Sequence, residues 1–272
     1  MKAVVSASFY IVASVLPSIA QADHASTLEQ RQPLELVFAD SIVPQDHHEM
    51  MLTTGVWYSR RQPVHDGQLT QKVEWGISDK FQISGFVNPL HLVSSEGTTV
   101  TGAGDFSLGA RYTWVNVGSP FTHAALAMEA SFPSGNPLNG LGDGAYGLSP
   151  SILVSHEFNR SSYQVFSTVG LDFVLARRGS ESALDVPHTE FVANNGFSAR
   201  VGPGWIVGEL SVGTNRWSGG DETHVALTPS YVWRLARRTE LLLGVPVGVT
   251  SSTDKVSAVV KFTFELGGEE TK

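Results

Sequence analysis

The sequence predicts an all-β chain, an antiparallel up-and-down transmembrane β-barrel of about 12 strands. Three observations carry that expectation. Apolar and polar residues alternate with period two along most of the chain. The connections between alternating segments are alternately short and long. The chain opens with a pattern suited to export and contains no cysteine.

At the N-terminus, Met1-Lys2 supplies a positive end and Ala3 to Leu16 is nearly all apolar or small. Ala20-Gln21-Ala22 follows as an A-x-A cleavage pattern. Residues 1–22 therefore read as a signal peptide, too short in its apolar run to span a bilayer. Residues 23–49 lack the alternation and are expected to form a periplasmic arm or a small plug. The barrel is expected over 50–266, with 267–272 as a tail.

The stretch 102–116 shows the alternation plainly. Phe106, Leu108, Ala110, Tyr112 and Trp114 share one face; Asp105, Ser107, Gly109, Arg111 and Thr113 share the other. The same pattern predicts strands at 50–61, 69–78, 81–93, 104–116, 122–133, 146–158, 162–175, 188–202, 205–217, 223–236, 239–250 and 254–266. Phe166, Val232 and Val259 break it by falling on the polar side. The short connections include "SDK", "GPG" and "ARR"; the long ones include "QPVHDGQ", "SSEGTTVTGAG" and "PSGNPLNGLGDGAYG". An even strand number places both chain ends on the short-turn side, as in bacterial outer-membrane barrels.

The polar face carries Glu74, Arg111, Glu129, Asp172, Glu209, Arg234, Lys261 and Glu265. A dry protein core does not accept so many charges. The apolar face is too continuous to meet water, so it is assigned to outer-membrane lipid and the polar face to a lumen. These eight residues are the candidates for lining a conduit that selects solutes by charge. The structural alternative is that they pair with one another and fill a narrow lumen, since twelve strands lie between filled and open barrels. Leu243→Arg on the lipid face is expected to harm stability, and Thr263→Arg on the lumen face to be tolerated. Tyr112, Trp114, Phe132, Phe158, Tyr163, Tyr231, Trp233, Phe262 and Phe264 are candidates for interfacial aromatic girdles.

The charge of −8, with no basic patch, argues against a nucleic-acid partner. "HHEM" at 47–50 reads as a polar strand entry, because neighbours on a strand point to opposite faces and cannot easily share a metal ion. "GDGAYG" at 142–147 lacks the strand-before, helix-after context of a nucleotide loop. No cofactor is implied. A barrel enzyme would need a base and nucleophile together, with His65-Asp66, His188 or Asp221 with His224 as rim candidates.

Several stretches in order, "EWGISDKFQISG", "GAGDFSLGARY", "FPSGNPLNGLGDGAYGLSPSILVSHEF" and "LTPSYVWRLARRTELLLGVPVGVT", resemble the MetA-like outer-membrane barrels of the phenol meta-pathway of degradation. That resemblance implies an outer-membrane channel for small hydrophobic or aromatic solutes. It brings no binding residues with it. A closed structural or adhesion barrel with partner-binding loops is the alternative.

Overall fold

A computed structural model describes residues 32–61, 63–158, 162–177, 189–218, 220 and 222–267. The segments 1–22 and 23–31, His188, Asp221 and the end of the tail lie outside the described residues.

The strands in chain order are β1 (Met50–Arg61), β2 (Val64–Ser78), β3 (Phe81–Ser95), β4 (Thr98–Gly102), β5 (Phe106–Trp114), β6 (Thr122–Phe132) and β7 (Ala145–Phe158). Then come β8 (Tyr163–Arg177), β9 (Thr189–Val201), β10 (Gly204–Thr214), β11 (Thr223–Ala236), β12 (Thr239–Gly244), β13 (Val247–Gly248) and β14 (Val256–Leu266). Each strand pairs antiparallel with its neighbours in the sheet. The first pairs with the last, Met50 opposite Leu266 through to Arg60 opposite Val256. The sheet is thus a closed ring, with no free edge to be satisfied in hydrocarbon.

Among the described residues, fourteen strands make twelve staves. β4 pairs only with β3 and precedes β5 on the same stave, while β12 and β13 both lie between β11 and β14. Pro246 interrupts that last stave, as a residue without an amide hydrogen would. Gly104 donates to the Asn88 carbonyl where the β3 ladder passes from β5 to β4.

Strand bounds follow the predicted ones closely, with two differences. Strand β2 begins at Val64, because residues 64–68 pair fully with β1; most of "QPVHDGQ" is therefore strand rather than long loop. Much of "SSEGTTVTGAG" is the β3–β4 hairpin, turned at Glu96-Gly97, both with positive φ.

The faces point as alternation requires. Leu108, Met128, Leu227, Leu243 and Val256 are about half exposed on the outside. Thr53, Glu74, Ser107, Arg111, Glu209 and Thr263 are buried on the inside. Aromatic pairs mark the outer rims: Phe106 stacks on Phe132 at the long-loop end, and Tyr112 meets Trp114 edge-on at the other. This is the inverted polarity of a transmembrane barrel.

Candidate functional site: a lumen threaded by the N-terminal segment

Residues 32–45 lie inside the barrel, and 46–49 form the turn at its mouth, with His47 and His48 exposed. The segment enters at the short-turn end, rises to an apex near Phe38 and Asp40, and returns to the same end before β1. Inward side chains hold its backbone. Glu240 on β12 accepts the Leu34 N–H at 2.8 Å. Glu209 on β10 accepts those of Val37, Phe38 and Ala39 at 2.8, 3.0 and 2.8 Å. Lys261 on β14 donates to the Leu36 carbonyl at 2.6 Å and to Glu35. Arg111 on β5 donates to the Ser41 and Val43 carbonyls. Gln82 on β3 accepts the Gln45 N–H. An irregular backbone inside a barrel needs such partners, since it has no ladder of its own.

Apolar packing accompanies these bonds. Leu36, Val37 and Ala39 pack with Phe166, Trp205, Val207, Val232, Leu242 and Val259. Phe166, Val232 and Val259, which fall on the polar side of the sequence alternation, face inward and share one cluster with the threaded segment. Ile42 packs against Ala125 and Leu153. A fully buried Leu or Val contributes about 1.5–3 kcal/mol relative to exposure, so the segment is anchored by packing as well as by charge.

The segment leaves through a close approach at Gly76. His48 donates to the Gly76 carbonyl, and Gly76 donates to that of Glu49. A Cβ on Gly76 would sit 2.0 Å from the Asp46 carbonyl oxygen, so only glycine fits. "HHEM" is thus the polar entry to β1, with His47 and His48 in the turn and Met50 as the first strand residue. The Glu49 N–H bonds back to Asp46, and the His47 and His48 rings stack outside while Glu49 is buried.

Each of the eight candidates has a definite place. Glu74 accepts from Gln82 at 2.7 Å and lies within 3.2 Å of Lys72 and 3.7 Å of Arg111. Arg111, Glu209 and Lys261 bind the threaded segment. Arg234 pairs with Glu240, donates to the Gln32 carbonyl and lies over the Trp205 ring at 4.5 Å. Both carboxylate oxygens of Glu265 are buried without a hydrogen bond among the described residues. Glu129 and Asp172 stand apart from this network and line a cavity. Four of the eight, Arg111, Glu209, Arg234 and Lys261, are therefore brought together through residues 32–49.

Lys72, Gln82, Glu157, Trp205 and Glu240 belong to the same interior and were not among the candidates. Lys72 bridges Glu35, Asp40 and Glu74, with nitrogen–oxygen distances of 3.6, 3.2 and 3.2 Å. Glu157 accepts from Gln32, and its carboxylate faces His123. Face parity alone marks Lys72 and Glu240, two positions along their strands from Glu74 and Leu242. Thr263 also differs from expectation. It is 1% exposed and bonds Thr53 Oγ1 at 3.0 Å, so the site has no room for Thr263→Arg.

Beyond the segment's apex lies a cavity of about 250 Å³. Its floor is Asp40, Lys72, Glu74 and Arg111; its walls carry Glu129 and Asp172 among small residues such as Ser84, Gly109 and Gly170. At the long-loop end, loop 133–144 folds inward. The Asp105 carboxylate accepts the Gly135 and Asp143 N–H groups at 2.8 and 2.7 Å, and Leu141 is buried. Desolvation, then the neighbouring Asp105 charge, push the Asp143 carboxyl above its usual range, with His91 opposing. "GDGAYG" belongs to this loop and the start of β7, with no helix after it. His91 bonds Asp66 at 2.7 Å beneath the loop, whereas His65 points outward to the Tyr58 hydroxyl. His224 bonds the Ser252 carbonyl. Among the described residues no group of three His, Asp or Glu side chains is arranged to hold a metal ion.

No family model matches the chain, and no curated protein does. Solved structures do match. An outer-membrane channel from Pseudomonas putida F1 superposes with a TM-score of 0.69 at 12% identity, covering 85% of this chain and 100% of that one. The fold is that of an outer-membrane β-barrel. The NanC porin matches with a TM-score of 0.57 at 11% identity, over 79% of this chain and 100% of that one. The KdgM porin matches at 0.51 and 8% identity, over 79% and 99%. At these identities the likeness is one of architecture.

Proposed function

We propose that the chain is a bacterial outer-membrane channel for small solutes, held narrow by residues 32–49. The observation that carries this reading is the cavity inside a closed barrel whose outer face is apolar. Membrane lipid would contact that outer face. The solutes we propose are small and hydrophobic or aromatic, in line with the MetA-like resemblance. In support, the cavity walls between the charged groups include the small residues Gly109, Ala127, Ser151 and Gly170, which leave room for a ring. A passage this size admits single small molecules rather than chains.

Rim catalysis is the second reading, favoured by the Asp66–His91 contact. It is the weaker one, because the hydrogen bonds of His91 among the described residues run to Asp66 and Gln68, with no serine nucleophile. We therefore treat the chain as a channel and not an enzyme. Solute flux into proteoliposomes tests the reading. Entry of small aromatic solutes well above protein-free vesicles is expected; equal rates for all solutes tested would overturn it.

A further inference from the structure

We propose that Glu129 and Asp172 make the lumen cavity select for positively charged solutes, protonated amines among them, over carboxylate-bearing ones. The inference deepens the channel reading and rests on it.

The argument starts from which charges are already matched. Two cations line the cavity, Lys72 and Arg111. Lys72 is matched by Glu35, Asp40 and Glu74. Arg111 is taken up by the Ser41 and Val43 carbonyls, Gln82 and Glu74. Neither is free to receive the carboxylate of a passing solute. Lys261, lower in the barrel, is likewise held by Glu35 and the Leu36 carbonyl.

Glu129 and Asp172 are in the opposite condition. Each has a serine hydroxyl beside it, Ser107 and Ser149 respectively, and Glu129 feels the Lys72 charge through space without pairing with it. Among the described residues neither has a salt-bridge partner. Both line the cavity, on β6 and β8, and the positions beside Glu129 in the ladder are Gly109 and Ser149, too small to cover it. Glu190 lies opposite Asp172 in the next ladder and carries the same sign toward the long-loop end. The cavity thus has neutralised cations at its floor and unmatched carboxylates on its wall. In a narrow lumen with low-dielectric walls, unmatched charge of one sign concentrates counter-ions of the other.

The test is the reversal potential of the full-length chain in planar bilayers under a KCl gradient at pH 8, with heat-modifiable gel migration confirming folding of every variant. The isosteric pair Glu129→Gln and Asp172→Asn is compared with wild type and with Glu96→Gln, at the tip of the β3–β4 hairpin. Wild type is expected to favour K⁺ over Cl⁻, and the double variant to lose about tenfold of that preference, with Glu96→Gln unchanged. Anion-selective current, or a preference that the double variant leaves intact, would overturn this inference alone. A folded barrel with no current would overturn the channel reading and this inference together.

Discussion

Glu209 Oε1 accepts the backbone N–H of Ala39 at 2.8 Å, although 170 residues separate them. The same carboxylate takes the two preceding amides, so one side chain on the barrel wall satisfies three consecutive N–H groups. Glu209 is the main clasp on the apex of the threaded segment. Glu209→Ala leaves those donors without their acceptor, at about 1–3 kcal/mol for each amide. The barrel should still close, because the β9–β10 and β10–β11 ladders do not involve this side chain. The expected outcome is faster proteolysis within residues 32–49 and larger single-channel conductance. An unchanged cleavage pattern would remove Glu209 from that role.

Gly76→Ala acts on the other end of the segment. The added methyl meets the Asp46 carbonyl oxygen, and either the turn at 46–49 or β2 must shift. Overpacking of this kind costs about 1–3 kcal/mol. Urea titration of the refolded variant in detergent should show the loss; wild-type stability would contradict the close approach.

Leu243 and Thr263 separate the two faces. Leu243 is half exposed on the lipid side, and Leu243→Arg should cost about 2–4 kcal/mol near the bilayer midplane. Thr263→Arg should also destabilise, by overpacking rather than by lipid exposure. The contrast comes from Ser151→Arg on the cavity wall, which should fold normally and cut most of the conductance. Normal folding of Leu243→Arg would contradict the assigned faces.

Loop 133–144 should respond to pH through Asp143. Its carboxyl is raised in the folded loop, so the folded state binds the proton more tightly than the unfolded chain. That stabilisation is full below the unfolded value and is lost as pH rises through the raised folded one. Amide exchange in the loop, corrected for the intrinsic pH dependence of exchange, should therefore show protection falling as pH rises past the ordinary carboxylate range. Asp143→Asn should flatten the change, and an unaltered slope in that variant would assign it elsewhere.

Much of the barrel was legible in the sequence because strand geometry imposes a strict period of two, and lipid enforces it on every stave. Leu108, Leu126 and Val260 could be placed outside, and Glu74, Arg111 and Glu209 inside, from parity alone. The partners of the inward charges were not legible. Residues 32–49 have no period, since a segment held by side chains from many strands obeys no local repeat. Glu209 meets Val37 and Arg111 meets Val43 only through closure of the ring, and nothing near either residue signals it. Phe166, Val232 and Val259 did carry a signal. Three apolar residues on the lumen face imply something apolar inside, and it is Leu36, Val37 and Ala39.

Single-channel recording of the refolded chain in a planar bilayer tests the central claim most directly, with Glu209→Ala recorded beside it. The account predicts a small, steady current from wild type and a larger one from the variant. A folded, heat-modifiable barrel that passes no current in either form would contradict it.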